Sequence, residues 1–376
     1  MKRFFAVFFA VVVSLIAADE IVAQNTRVDN LLDDAREQVN NLAYEEAIKN
    51  YKKALKIEPE NVVGQFEMAM AYYRLEKYSE AIKFADALKV AGKADVDCYR
   101  LLGNAYDLHG SYDKGIIVLK EGVEAFPEAG ELYLDLGIIE MIRKEPEAAT
   151  LHWEAGIEAD PSYPDNYYWA AKMYANSNEK VWALLYGEVF MNMERGTERF
   201  DDMSNTLYDL YLGLMGDPTN IADGDFKFDR GETANGFEGA NVRLFDVLHK
   251  NNLMSFERGN TIEGTQNKLL ALSHARKSFL EMWLQGFTLA YPNLLYKYHR
   301  TMNDLGFFEA YNFWLFSKAS PEEFLYWVQR NGTTYEAFID WFLEKPLKVD
   351  VEDYFVRSQF VKEKKKSTTD KSPIEE

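Results

Sequence analysis

The side chains that could carry chemistry are few and scattered. Five histidines stand at 109, 152, 249, 274 and 299. None has the HExxH spacing that sets two imidazoles on one helix face for zinc. The single cysteine, Cys98, cannot form an intramolecular disulfide and reads as a small buried hydrophobe. No GxSxG elbow, P-loop or GxGxxG occurs. His249, His274 and His299 share the C-terminal half with Glu263, Glu281 and Asp304. A His–carboxylate pair could move a proton, but spacing alone joins no such pair. Asp223, Asp225, Asp229 and Glu232 raise the question of calcium, yet an EF-hand loop from Asp223 needs Gly where Phe228 stands. That stretch reads as a solvated acidic loop. The residues therefore predict no enzyme, no metal and no cofactor, and the remaining chemistry is that of binding.

The elements that would present a binding surface follow from an internal period of 34 residues. Taking Val96 to Ala129 as the frame, repeats begin at Val28, Val62, Val96, Gly130 and Pro164. The eighth position reads Ala35, Ala69, Gly103, Gly137 and Ala171; the twentieth reads Ala47, Ala81, Gly115, Ala149 and Ala183. Small residues at these two sites let the helices of a hairpin approach closely. Tyr72, Tyr106 and Tyr174 at the eleventh position, with Tyr44, Tyr78 and Tyr112 at the seventeenth, fill the wider gaps. Pro59, Pro127 and Pro161 stop the second helix, whereas Lys93 and Arg195 break this rule.

This pattern, with Tyr51, Ala54 and Trp153 at further sites, resembles the tetratricopeptide repeat family over residues 28–197. It departs from it in the fifth repeat, at Gly187 and Phe190. The resemblance implies an all-α fold, a right-handed α-solenoid of five helix hairpins, followed here by an aromatic-rich helical C-terminal domain. It also implies a concave groove lined by the second, fifth, sixth, ninth, twelfth and thirteenth positions. Carried onto this chain, the partner-binding residues are Phe66, Met70, Tyr73 and Arg74 in repeat two and Arg100 and Asn104 in repeat three, with Asp97, Leu101 and Asp107 beside them. Repeat four supplies Ile138 and Met141 with Leu134, Asp135 and Ile142, and repeat five Tyr168, Trp169 and Lys172. Aromatics, Met and Arg are the types that carry interface energy. Some relatives clamp a terminal carboxylate with cations and asparagines from three repeats. Arg100 and Asn104 match the first pair, but Asp135, Asp165 and Trp169 replace the rest, and two acids repel a carboxylate. The groove is expected to take an apolar or mixed segment instead, or this chain's own second half.

The expected domains are 1–24, 25–197, 198–361 and 362–376. In the first, Lys2 and Arg3 precede an apolar run from Phe4 to Ala17, the form of a signal peptide, with Ala17, Ala18, Ala23 and Gln24 near the cut. The run is short for a membrane span, and no second one follows. Beyond 197 the period is lost, and Phe200–Met215 reads as one more helix. Residues 217–241 form a long loop with a short strand at Phe226–Phe228, and Val242–Lys250 a helix. Helices then follow over Gln266–Tyr291, Asn293–Leu305 and Phe307–Lys318. One starts at Ser320–Pro321, and another is capped at Thr334. The tail from Lys362 is charged and reads as disordered. A net charge of -19 excludes a nucleic-acid backbone as partner. Together these features predict a protein-binding scaffold or accessory factor of the bacterial cell envelope, periplasmic or otherwise exported. Its partner would be another protein, with an outer-membrane or secretion assembly as one candidate. The alternative is a glycan- or peptide-binding protein or enzyme with an aromatic pocket near Trp283 and Trp314.

Overall fold

The computed structural model describes residues 24–216, 268–289 and 292–360. The signal-like segment, the acidic loop with its strand, His249 and the charged tail lie outside the described residues. Among the described residues every regular element is helical, and β-bridging is confined to isolated residues, Asp350 with Asp353 among them.

The helices keep the step that the sequence implies. After α1 (residues 24–40), the first helix of each pair starts at Val62 (α3, Val62–Arg74), Val96 (α5, Val96–Leu108), Gly130 (α7, Gly130–Ile142) and Pro164 (α9, Pro164–Ala175). The second starts at Tyr44 (α2, Tyr44–Ile57), Tyr78 (α4, Tyr78–Val90), Tyr112 (α6, Tyr112–Ala125), Pro146 (α8, Pro146–Ala159) and Lys180 (α10, Lys180–Met193). The chain is an all-α helical-repeat array with an aromatic-rich helical region after it. It divides into two compact units between Arg143 and Lys144.

In the N-terminal unit, Val28, Leu32 and Ala35 of α1 bury with Ala47, Tyr51 and Ala54 of α2 and with Met68 and Ala71 of α3. Cys98 is buried among Ala85, Leu88 and Leu102, and burial pushes its thiol up to about 12, so it packs as a hydrophobe. The small sites are close approaches. A Cβ on Gly115 would lie 2.8 Å from the Gly103 carbonyl oxygen, and one on Gly103 would lie 2.5 Å from Leu119 Cγ. Between the two helices of a pair the turn needs one left-handed residue, and it recurs at the same step: Leu42 (φ 59°), Glu76 (φ 59°), Gly110 (φ 80°) and Lys144 (φ 64°). Only one of these four is the glycine that tolerates this conformation without a Cβ clash.

The C-terminal unit is built on α10, whose residues from Val181 to Asn192 are all buried. A helix that is apolar around its whole circumference must be covered on every side. One cover is α9. Another is α11 (Glu198–Gly216), which starts one further 34-residue step beyond Pro164. The sequence reading ends the periodicity at residue 197. The structure carries the step one helix further, and Gly187 lets that helix approach: its Cβ would lie 2.7 Å from Met203 Sδ and 2.8 Å from Leu207 Cδ2. The departure at Gly187 is thus the seat of α11.

The remaining helices are α12 (Lys268–Gly286), α13 (Leu294–Asp304), α14 (Phe308–Leu315) and α15 (Pro321–Glu344), with a 3-10 turn at Arg357–Phe360. Ser204 Oγ donates to the Leu315 carbonyl at 2.7 Å, and Phe200 meets Trp314 at 5.2 Å, so α14 lies on α11. Tyr186 stacks on Phe355, and its hydroxyl accepts from the Arg357 backbone at 2.8 Å, tying the end of the chain to α10. Two local expectations change. Ser320 makes no side-chain cap bond, and Pro321 with the acids Glu322 and Glu323 marks the first turn. Thr334 caps nothing, because α15 runs through it. The break falls at Asn331 (φ -123°), whose Nδ2 donates to the Trp327 carbonyl.

Replacing Glu76 by Gly should raise stability by about 1 kcal/mol, the left-handed penalty less the entropy that Gly adds. Gly115→Ala should lower it by about 1–3 kcal/mol, since backbone is what its Cβ meets. Thermal unfolding of both variants, followed by circular dichroism, measures the two opposite shifts.

Candidate functional site

The face formed by first helices is the expected binding surface, and the structure shows how much of it is spent internally. In the N-terminal unit, Arg100 Nε donates to Asp135 Oδ2 at 2.8 Å, across α5 and α7. Asn104 also bonds Asp135. Burial pushes the Asp135 carboxyl up, and these two donors pull it only part of the way back. The Arg100–Asn104 pair that could have begun a carboxylate clamp is therefore occupied by the chain's own acid. Phe66 and Met70 are half-buried against the cluster around Ala69 and Leu88, and the Tyr73 ring sits edge-on to Tyr78 at 5.7 Å. Ile138 and Met141 are half-buried, while Arg74 is exposed.

In the C-terminal unit the fifth-repeat positions face α11. Asp165 pairs with Arg199 at 2.5 Å, the Tyr168 hydroxyl donates to Asp202 at 2.9 Å, and Lys172 Nζ reaches Asp202 at 3.0 Å and Thr206 at 3.4 Å. Burial, then the Asp202 carboxylate, pushes the Tyr168 phenol up to about 12. Tyr168 and Lys172 are thus largely committed. Trp169 is not: it stacks on buried Trp153 at 5.9 Å and stays 38% exposed. A cavity of about 350 Å³ opens along the same register positions, lined by Lys172 and Ala175 of α9, by Asn176 just after it, and by Thr206, Asp209 and Leu210 of α11. The sequence reading missed the α11 residues. The signal was available in the step itself, since Arg199, Asp202 and Thr206 follow Asp165, Tyr168 and Lys172 by 34 residues each.

A second constellation was not foreseen. Glu188, inside α10, is fully buried and gathers Arg276 of α12, His299 of α13 and Tyr311 of α14. His299 Nε2 lies 2.7 Å from Glu188 Oε1 and the Tyr311 hydroxyl 2.8 Å from it, while Arg276 donates to both Glu188 and Asn312. Asn192 Nδ2 adds a bond of 2.7 Å to the Tyr311 oxygen. Burial alone would raise the Glu188 carboxyl; the Arg276 charge, then His299 and the Tyr311 hydrogen bond, outweigh it and hold the group at about 2. Burial lowers His299 below its ordinary value, and the pull of Glu188 does not restore it, with Arg276 acting against it. The guanidinium also lies over the rings of Tyr211 (5.3 Å) and Phe316 (5.6 Å). His299 thus pairs with a carboxylate, that of Glu188 and not Glu281 or Asp304, while Glu263 lies outside the described residues. The clue in the sequence was a lone Glu in the run VWALLYGEVFMNM.

The cavity beside this node has about 10 Å³, room for one water and not for a sugar or a lipid. Trp283 is buried against Tyr296, and Trp314 packs on Phe342 at 4.7 Å, so both tryptophans act as packing there.

Residues 43–76, spanning α2 and α3, match the family profile described as TPR repeat. No curated protein sequence matches the chain. Among solved structures, PilF of Pseudomonas aeruginosa is 16% identical, covers 51% of this chain and 92% of its own, with a TM-score of 0.42. MamA from Desulfovibrio magneticus RS-1 is 24% identical over 35% of this chain and 75% of its own, with a TM-score of 0.33. YrrB, a TPR protein described as having an unusual peptide-binding site, is 20% identical over 47% and 91%, with a TM-score of 0.35. A tetratricopeptide repeat therefore lies at 43–76, and neighbouring helices start at the same step.

Glu188→Gln should cost about 3–5 kcal/mol, because it leaves Arg276 charged and buried without its counter-ion. The parent should lose stability as pH falls, first below the ordinary His range, where unfolded chain takes up a proton that folded His299 refuses. It should lose more between about pH 4.5 and the Glu188 value of about 2. The second loss should be absent in Glu188→Gln. Urea midpoints measured from pH 7 to pH 3 test both signs.

Proposed function

We propose that the protein is an exported scaffold of the bacterial envelope that holds a partner polypeptide against its first-helix face. The observation that carries this reading is Trp169: a large aromatic at a groove position, seated on buried Trp153 and left 38% exposed. An indole held rigid by its support and open on one side loses little entropy on contact, which is the mark of an interface anchor. The 350 Å³ cavity on neighbouring positions of α9 and α11 gives room for a partner side chain. Repeat arrays present such faces because each helix pair contributes the same positions in turn. Export rests on the basic start at Lys2 and Arg3 and the apolar run after it. Among the described residues no helix is long and apolar enough to cross a membrane. The partner is a protein, with an outer-membrane or secretion assembly as the candidate class.

A photo-reactive phenylalanine at position 169 should give one crosslinked adduct of defined mass in intact cells. The same group at Ile117, an exposed residue on α6 in the second-helix layer, should give none. Trp169→Glu should abolish co-purification of that adduct's partner. Equal labelling from both positions, or none from 169, would reject the proposal, and recovery of the protein with the cytosolic fraction would reject export.

A further inference from the structure

Asp107 stands in the last turn of α5, at the twelfth position of its repeat, and is 8% exposed. Its Oδ1 is buried without a hydrogen-bond partner, and no cation pairs with it among the described residues. The other buried acids of the N-terminal unit are compensated. Asp135 has Arg100 at 2.8 Å, and Glu140 has Arg143 at 3.2 Å. Burial pushes the Asp107 carboxyl up, and nothing offsets that push. An unpaired buried carboxylate is a standing cost to the fold. A donor that arrives from outside would relieve it.

The surroundings say what kind of donor. Tyr73, at the same register position one repeat earlier, feels the charges of both Asp107 and Asp135. Leu108 and Ile142, at the thirteenth positions of successive repeats, are apolar and each 51% exposed. A charged head with an aliphatic stem suits an acid beside exposed apolar side chains. Arg100 does not oppose a cation, because Asp135 neutralises it. Arg74, exposed at the end of α3, does oppose one, which places the incoming cation on the α5–α7 side. The net charge of -19 acts in the same direction.

We propose that the first-helix face of the N-terminal unit takes a basic segment of the partner, a lysine or arginine in an otherwise apolar stretch, with its charged head hydrogen-bonded to Asp107. This rests on the scaffold reading above and names the partner chemistry that the reading leaves open. A charge-assisted hydrogen bond in a partly desolvated site gives strong preference over an isosteric apolar side chain.

The test uses the purified full chain and three fluorescent ten-residue peptides of leucine and alanine, each with one central lysine, norleucine or glutamate. Anisotropy titration should show the lysine peptide binding about tenfold or more tightly than the other two, the factor that one buried charge-assisted bond supplies. Asp107→Asn should bring the lysine and norleucine peptides to within about twofold, and Asp107→Lys should turn the preference to glutamate. Circular dichroism should show Asp107→Asn folded, with a melting temperature no lower than the parent's. Equal affinity of lysine and norleucine peptides for the parent, or a lysine preference that survives in Asp107→Asn, overturns the inference. If those peptides still bind and Met141→Glu abolishes their binding, the scaffold reading stands without it. No binding of any peptide also overturns the inference, and the crosslink from position 169 then decides the scaffold reading by itself.

Discussion

The C-terminal unit depends on one buried negative charge. A carboxylate in the middle of an otherwise apolar helix is intolerable alone, and Glu188 is made tolerable by a guanidinium, an imidazole and a phenol from three separate helices. Greasy packing could have covered α10 in many ways. The hydrogen-bond geometry at Glu188 accepts few, because Arg276, His299 and Tyr311 must each reach the same carboxylate, and Asn192 and Asn312 hold two of them in place. The node therefore selects one arrangement of α12, α13 and α14 on α10. The arrangement of the aromatic side chains around it follows from that choice.

Much of the array was legible because close packing leaves a periodic trace. Gly103 and Gly115 are small since backbone and Leu119 stand where a Cβ would go, and such a constraint returns every 34 residues. The starts of α4, α6, α8 and α10 fall on that step. What the sequence concealed was non-periodic. α11 carries an exposed Asn205 at the small site and packs instead through Met203 and Leu207, for which Gly187 on α10 makes room. Pairing between repeats could not be read either. Lys172 and Tyr168 look like exposed groove residues until Asp202 is found opposite them. The partners of Glu188 lie 88, 111 and 123 residues away, and no local pattern encodes such distances.

The two faces of this economy are visible in the charges. Along the first helices, several ionic groups are balanced by the neighbouring repeat: Arg36 with Glu67, Arg100 with Asp135, Arg199 with Asp165. These pairs are partly solvent-exposed, so each contributes little stability. Their larger effect is subtractive. They remove charge from the surface that a partner would meet, and what they leave uncompensated, the exposed Trp169 and the buried, unpaired Asp107 above all, is chemically distinct from its surroundings.

The wide separation between Glu188 and its partners also bears on how the chain acquires its form. A polypeptide emerging N-terminus first presents α10 well before Tyr311 exists to meet it, a gap of 123 residues. At ordinary synthesis rates that interval lasts roughly 6–25 s. The early hairpins close through neighbours and need not wait. α10 can be covered by α9 and α11 in that time, but it must wait with an unshielded acid and with the side that α12, α13 and α14 will cover still bare.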